Sequence, residues 1–201
     1  MKIGVIGAGN IGGTIGAKWA SQHHEVYFGV RDPQKESLVA KISEMTGAVQ
    51  VGLSAEAIAF ADVVIFAVPG ASVGPIVEDN LDNLRGKIII DASNNMKGES
   101  RHALGYLREQ LPTAKLYRAF SSLGWENLAD PDFGGTKADL FFCGDEYAQS
   151  TVEQLIADVG LEPIYLGGTD RVGLVEGMTD MWFNLALKRR MGRRLAFKLL
   201  T

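Results

Sequence analysis

Residues 2–22 read "KIGVIGAGNIGGTIGAKWASQ", and how these residues fold decides the architecture of the chain. A short apolar run (Ile3, Val5, Ile6) leads into Gly7-Ala8-Gly9-Asn10-Ile11-Gly12. Beyond it Ile11, Ile15, Ala17, Trp19 and Ala20 suit a packed helix. Strand, glycine turn and helix in that order form the setting in which G-x-G-x-x-G binds a dinucleotide. Gly7 permits the tight turn, Gly9 lets the backbone approach a pyrophosphate, and Gly12 lets the helix pack close to the strand. The unpaired N–H groups at the helix N-terminus then face the phosphates. A glycine-rich turn alone is weak evidence; flanked by a strand and a helix it is strong.

Outward from this unit, residues 26–30 form a second strand, and "RDPQKE" opens a helix with Asp32 as its cap and Pro33 at its first position. Arg31 stands at the end of that strand, about 20 residues past the loop. There an acid would bond the ribose 2'-hydroxyl of NAD, whereas an arginine accommodates a 2'-phosphate. The residue predicts NADP, with Val30 beside it and Lys35, one helical turn on, adding a second cation. The competing reading makes Asp32 the ribose acid and turns Arg31 to solvent.

The alternation continues: "AVQV", "DVVIFAV" and "KIIID" read as strands separated by helices, and their near-continuous apolar character predicts a parallel sheet covered on both faces. Val68 and Pro69 end the fourth strand over the crevice where open α/β sheets bind ligands. Asn94 and Asn95 end the fifth, where a contact to the nicotinamide and a turn-forming role compete. Residues 101–111 read as a helix, "KLYRAF" as a strand, residues 121–138 as a loop, then "DLFFCG", residues 146–159 and "EPIYL" as strand, helix and strand. From residue 171 a long helix runs to the end, with interruptions at Gly177 or Gly192. The expected fold is α/β, a Rossmann-type doubly wound, mostly parallel sheet with a small C-terminal helical lobe. Residues 1–170 are the NADP-binding domain, and residues 171–201 a helical segment packing on it or on a second subunit.

The 201 residues, 46% hydrophobic and 22% charged, have an ordinary globular composition. No apolar run approaches the ~20 residues that span a bilayer, and the opening lacks the features of a signal peptide, so a cytoplasmic chain without membrane partner is expected. The single cysteine, Cys143, is read as a buried strand residue, and no Cys or His cluster has metal-ligand spacing. Residues 188–201 hold six basic side chains and no acid, which leaves residues 1–187 at −10 within a net charge of −4. Apolar Leu187, Met191, Leu195 and Leu199 recur through this stretch at helical spacing. It is therefore read as a helix with one packed and one solvated face rather than a nucleic-acid-binding tail.

With the glycine loop, "GVRD", "FAVP" and "FFCGD" in view, the chain resembles the NADPH-dependent reductases of the deazaflavin coenzyme F-420. A related domain forms the cytosolic part of the six-transmembrane metalloreductases. The resemblance runs nearly end to end, and "AF..LGWEN" combined with "CGD" is its most specific part. It implies NADP contacts at Ala8, Gly9, Asn10 and Ile11, at Val30, Arg31 and Lys35, at Val68 and near Asn94, and it implies a homodimer. It also implies an acceptor on the nicotinamide face, lined by Ser121, Ser122, Leu123 and Trp125 and by part of the last helices. The archaeal enzymes frame this segment with a histidine and a proline; here Ser121-Ser122-Leu123-Gly124 stand instead, so the cofactor carries over and the acceptor does not.

Hydride transfer between a nicotinamide and a flavin-like ring needs two stacked rings and no general acid or base, in keeping with a chain that offers no catalytic dyad. His23, His24 and His102 sit at helix ends, where structural roles are usual. Trp125 is either an acceptor-stacking residue or a packing anchor. The tyrosine and lysine of short-chain dehydrogenases are missing, since Tyr106 is followed four residues later by Gln110. The alternative is an NADPH sensor or partner-binding protein without turnover.

Overall fold

The computed structural model describes residues 1–96, 98 and 100–200. Its elements, in chain order, are β1 (Lys2–Ile6), α1 (Asn10–Ser21), β2 (Glu25–Val30), α2 (Glu36–Ser43), β3 (Ala48–Leu53), α3 (Ser54–Phe60) and β4 (Val63–Phe66). They continue with α4 (Val73–Glu78), α5 (Leu81–Leu84), β5 (Ile88–Asp91), α6 (Leu104–Gln110), β6 (Lys115–Arg118), α7 (Trp125–Ala129) and β7 (Asp139–Gly144). The last are α8 (Gln149–Val159), β8 (Glu162–Tyr165) and α9 (Val172–Phe183). One sheet runs β3-β2-β1-β4-β5-β6-β7-β8. The first six strands are parallel, β7 is antiparallel to β6, and β8 is parallel to β7. The order therefore reverses between β1 and β4, and that switch point opens a crevice at the carboxyl ends of the strands.

Buried apolar residues line both faces of the sheet. On one, Ile15, Trp19, Val152, Leu155 and Trp182 come from α1, α8 and α9; on the other, Ile58, Val77 and Leu107 come from α3, α4 and α6. β4 is buried at every position, which is why it reads as an unbroken apolar run. Trp19 is fully buried and donates its indole N–H to Leu155 O at 2.8 Å, so its one polar atom is satisfied and α1 is tied to α8.

Three local expectations are corrected. The helix after β2 starts at Glu36, not Pro33. Asp32 caps no helix: its Oδ1 accepts from Gln34 N at 3.0 Å, an Asx turn that uses up the cap three residues early. The stretch 121–138 contains the short helix α7.

A fourth correction is the C-terminus. After α9 the chain makes one wide turn of helix, Asn184–Lys188, with Arg189 N reaching Asn184 O, and then leaves the helix. Met191 N and Gly192 N close back on Leu185 O and Ala186 O, and Arg190 takes φ 57°, the left-handed position that terminates the helix, with Gly192 left-handed in turn at φ 92°. Residues 189–200 run as a strap, and the predicted packed face fails: Leu187, Met191 and Leu199 are exposed, and only Leu195 packs on the core. Backbone capture holds the strap instead. Trp182 Nε1 donates to Leu195 O (2.8 Å) and Asn127 Nδ2 to Arg193 O and Leu195 O. Half of the tail's charge is spent on the body, with Arg193 pairing Glu126, Arg194 pairing Asp130 and Lys198 pairing Asp139.

Candidate functional site

A cavity of about 570 Å³ lies over the β1–α1 turn, lined by Gly7, Ala8, Gly9, Val30, Arg31, Lys35, Val68 and Pro69 among others. The turn is built as its residues require. Gly7 has φ 101° and its N–H bonds Gly29 O, which ties the loop to β2. A Cβ on Gly12 would stand 2.0 Å from Gly7 O, so only glycine lets α1 start this close. Gly9 differs, because a Cβ there would meet nothing within 4 Å and would project into open space at the N-terminus of the 12-residue α1. No side chain caps that terminus. Open space above a glycine, beneath free helix N–H groups, fits a pyrophosphate.

At the β2 end of the cavity three cations gather, Arg31, Lys35 and Lys41, with the single acid Asp32. Lys41 was not anticipated. It projects from α2 back over the glycine loop, its Nζ 3.4 and 3.3 Å from Ala8 O and Gly9 O. Nothing local marks it, because its position depends on α2 packing beside α1.

A second cavity of about 240 Å³ adjoins the same loop. Asn10, Ile11, Ala92 and Asn94 form one side of it, Phe120, Ser121, Leu123 and Trp125 another, and Trp182, Phe183 and Arg193 the third. The two cavities meet across the loop, residues 7–9 on one side and 10–11 on the other, with Pro69 bridged to Asn94 between them. Ser122 is buried but lines neither. Gly12 lies behind the loop. The aromatic wall from α9 and the strap was expected only as "part of the last helices"; Trp182 and Phe183 meet edge to face at 5.5 Å, and Arg193 lies over Trp182 at 5.3 Å.

Beneath this second cavity the fully buried Arg118 braces the carboxyl end of β5. Its guanidinium donates to Glu176 Oε1 (2.8 Å), to Asp91 O, to Ser93 O and to Asn94 Oδ1 (2.8 Å). A guanidinium only donates, so the Asn94 oxygen must face it and the Asn94 NH₂ is left for other partners. Asp91, also fully buried, accepts from Ser93 N and Oγ and from Ala103 N. The sequence showed Asn94 and not the arginine that orients it.

Burial pushes the His102 imidazole below its usual range, and its Nδ1 accepts from Leu104 N. Burial pushes the Cys143 thiol up to about 11. His24 is tied to the N-terminal amine and to Asp158. Among the described residues no three His, Cys, Asp or Glu side chains are grouped to hold a metal, and no helix is long and apolar enough to cross a membrane.

Residues 2–95 match the family model "NADP oxidoreductase coenzyme F420-dependent". The chain is 27% identical to the F420-dependent NADP reductase of Methanothermobacter thermautotrophicus over 95% of this chain and 91% of that protein. Over residues 2–95 the chain is thus similar to the F420-dependent NADP oxidoreductases. A candidate F420-dependent NADP-reductase from Arthrobacter sp. shares the fold with a TM-score of 0.87 at 24% identity, both chains covered in full. Metalloreductase STEAP3 of Rattus norvegicus is 25% identical over 88% of this chain, which spans only 36% of that protein. The family match ends at Asn95, so it covers the glycine loop and the cation cluster. The aromatic cavity is built chiefly beyond it.

Proposed function

We propose that this chain is an NADP(H)-dependent oxidoreductase that passes a hydride between the nicotinamide and a deazaflavin or flavin-like ring. The observation that carries the reading is the pair of cavities meeting at the glycine loop, one cationic and suited to a phosphorylated nucleotide, the other aromatic-walled. When bound, NADPH supplies the hydride, and the acceptor ring receives it.

The residues divide the work. Gly7, Ala8, Gly9 and the α1 N-terminus hold the pyrophosphate, with Gly12 allowing the close approach. Val30, Arg31 and Lys35 take the 2'-phosphate end, Val68 and Pro69 cover the linking ribose, and Asn10, Ile11 and Asn94 bound the nicotinamide. Ser121, Leu123 and Trp125 face the acceptor, and the aromatic walls exclude water from the transfer. Ser122 supports that segment from the core. No acid or base is assigned, because the rings carry the electrons. In this reading residues 1–170 are the nucleotide-binding domain, completed by the C-terminal segment through Trp182, Phe183 and Arg193.

A homodimer belongs to the same proposal. On α9 and the turn after it, Leu174 and Met181 are exposed and Met178 and Leu185 half-exposed, along one stripe beside Gly173 and Gly177. Two copies packed antiparallel would bring Leu174 onto Leu185 and Met178 onto Met181, and would set Asp170 of one against Lys188 and Arg189 of the other. A two-fold contact must be self-complementary in this way.

The deciding experiment is NADPH oxidation by the purified protein with oxidised F420, FMN, FAD and riboflavin in turn. Turnover with a deazaflavin or flavin supports the reading. Tight NADPH binding with turnover on none of them would favour a sensor.

A further inference from the structure

Gly13, next after the G-x-G-x-x-G run, faces α2 at a distance only glycine allows. A Cβ there would stand 2.2 Å from Lys41 Nζ and 2.9 Å from Lys41 Cε. Its backbone is ordinary helix inside α1, so the lysine explains the missing side chain and the φ angle does not. The gap is the lysine's seat. From it the ammonium reaches Ala8 O at 3.4 Å and Gly9 O at 3.3 Å, while Ile42, the next residue of α2, packs against the main core and anchors the helix. Lys41 is half-buried and lines the cavity over the β1–α1 turn. Among the described residues no carboxylate pairs with it, and the first turn of α1 carries no acid. An unneutralised cation held on the glycine loop, in a seat cut for it, points to an anion at that loop.

We infer that Lys41, seated by Gly13, serves the pyrophosphate of the nucleotide, and so binds NADP(H) and NAD(H) alike. This rests on the nucleotide-binding reading above, to which it adds a contact from α2 that neither the glycine loop nor β2 supplies. Placement separates this cation from the other two. Arg31 and Lys35 follow β2, whereas Lys41 lies on carbonyls of the glycine loop itself. Carbonyl oxygens beside a diphosphate would repel it. An ammonium resting on both oxygens offsets that repulsion and adds its own charge to the positive end of α1. The division of labour follows: Lys41 sets how tightly a diphosphate binds, and Arg31 with Lys35 sets which nucleotide is chosen.

The test titrates wild type, Lys41→Met, Lys41→Arg and Gly13→Ala with NADPH and NADH, and with ADP and adenosine 2'-phosphate as competitors. Lys41→Met keeps the stem and removes the charge. It should raise the dissociation constants of NADPH, NADH and ADP together, about tenfold each, for the loss of one partly screened charge-assisted contact. Adenosine 2'-phosphate, which has no diphosphate, should bind within about twofold of wild type on the same reasoning. Lys41→Arg should keep part of the affinity. Gly13→Ala, which unseats the ammonium without straining the backbone, should weaken the same three ligands, and combining it with Lys41→Met should add nothing. Wild-type affinities in Lys41→Met overturn the inference. A loss confined to NADPH and adenosine 2'-phosphate overturns it by moving the lysine to the 2'-phosphate, and an equal loss of all four overturns it by making the lysine a prop of the fold. A wild type that binds neither nucleotide overturns the nucleotide-binding reading and this inference with it, whereas a binding wild type with an indifferent lysine overturns the inference alone.

Discussion

Replacing Arg31 by alanine should separate the two nicotinamide cofactors. Arg31 and Lys35 stand exposed at the mouth of the cavity, with Lys41 deeper over the glycine loop. The first two are the ones assigned to the 2'-phosphate in the proposed function. A charge-assisted hydrogen bond contributes about 1.5–3 kcal/mol. Solvent screening at an exposed side chain keeps the value near the lower end, about 1.5–2 kcal/mol. At about 1.4 kcal/mol per decade this is a ten- to thirtyfold rise in the NADPH dissociation constant. NADH, which lacks the phosphate, should bind the variant within about twofold of wild type on the same reasoning. Calorimetric or fluorescence titration of both nucleotides reads this directly. The loss should shrink as ionic strength rises well above about 0.1 M, where the screening length falls below 10 Å. Equal losses for NADPH and NADH would refute the assignment and return the ribose to Asp32; Asp32→Ala would then weaken NADH.

Three further outcomes are expected. Gly9→Val should leave the fold intact, because Gly9 has φ −69° and nothing within 4 Å of its Cβ position, yet abolish binding of either nucleotide by filling the phosphate space; titration of a folded variant checks it. The protein should lose stability in alkali. Burial raises the Cys143 thiol from 9.0 to about 11 and the Tyr117 hydroxyl from 10.0 to about 12. The stability each contributes is complete below its unfolded value and is lost as pH climbs to the folded one. Two pH units per group is about 2–3 kcal/mol, so urea midpoints measured across pH 9 to 12 should fall, and a flat profile would contradict the burial of both groups. Met181→Glu, on the exposed stripe of α9, should convert a dimer to a monomer in sedimentation without changing the circular dichroism; an unchanged mass would place any interface elsewhere.

Residues 2–22 were sufficient for the fold because everything they encode is local. Strand, left-handed glycine and helix follow from steric rules acting over a few residues, and the glycines' spacing carries the proposed phosphate site with them. The same holds for Arg31, whose meaning comes from its distance past the loop, and for the apolar strands that prescribe a covered parallel sheet. Local signals also misled. Asp32-Pro33 has the chemistry of a helix start but closes an Asx turn, and the spacing of Leu187, Met191, Leu195 and Leu199 suggests a helix where the chain turns left-handed at Arg190 and the body's carboxylates capture the tail. Tertiary structure alone decided Lys41 over the loop, Arg118 beneath Asn94, and the meeting of Ser121 with Trp182 and Arg193 from more than 60 residues away. Those contacts depend on which strands lie side by side and which helix faces pack, energies summed over the whole core, and no spacing within the chain records them.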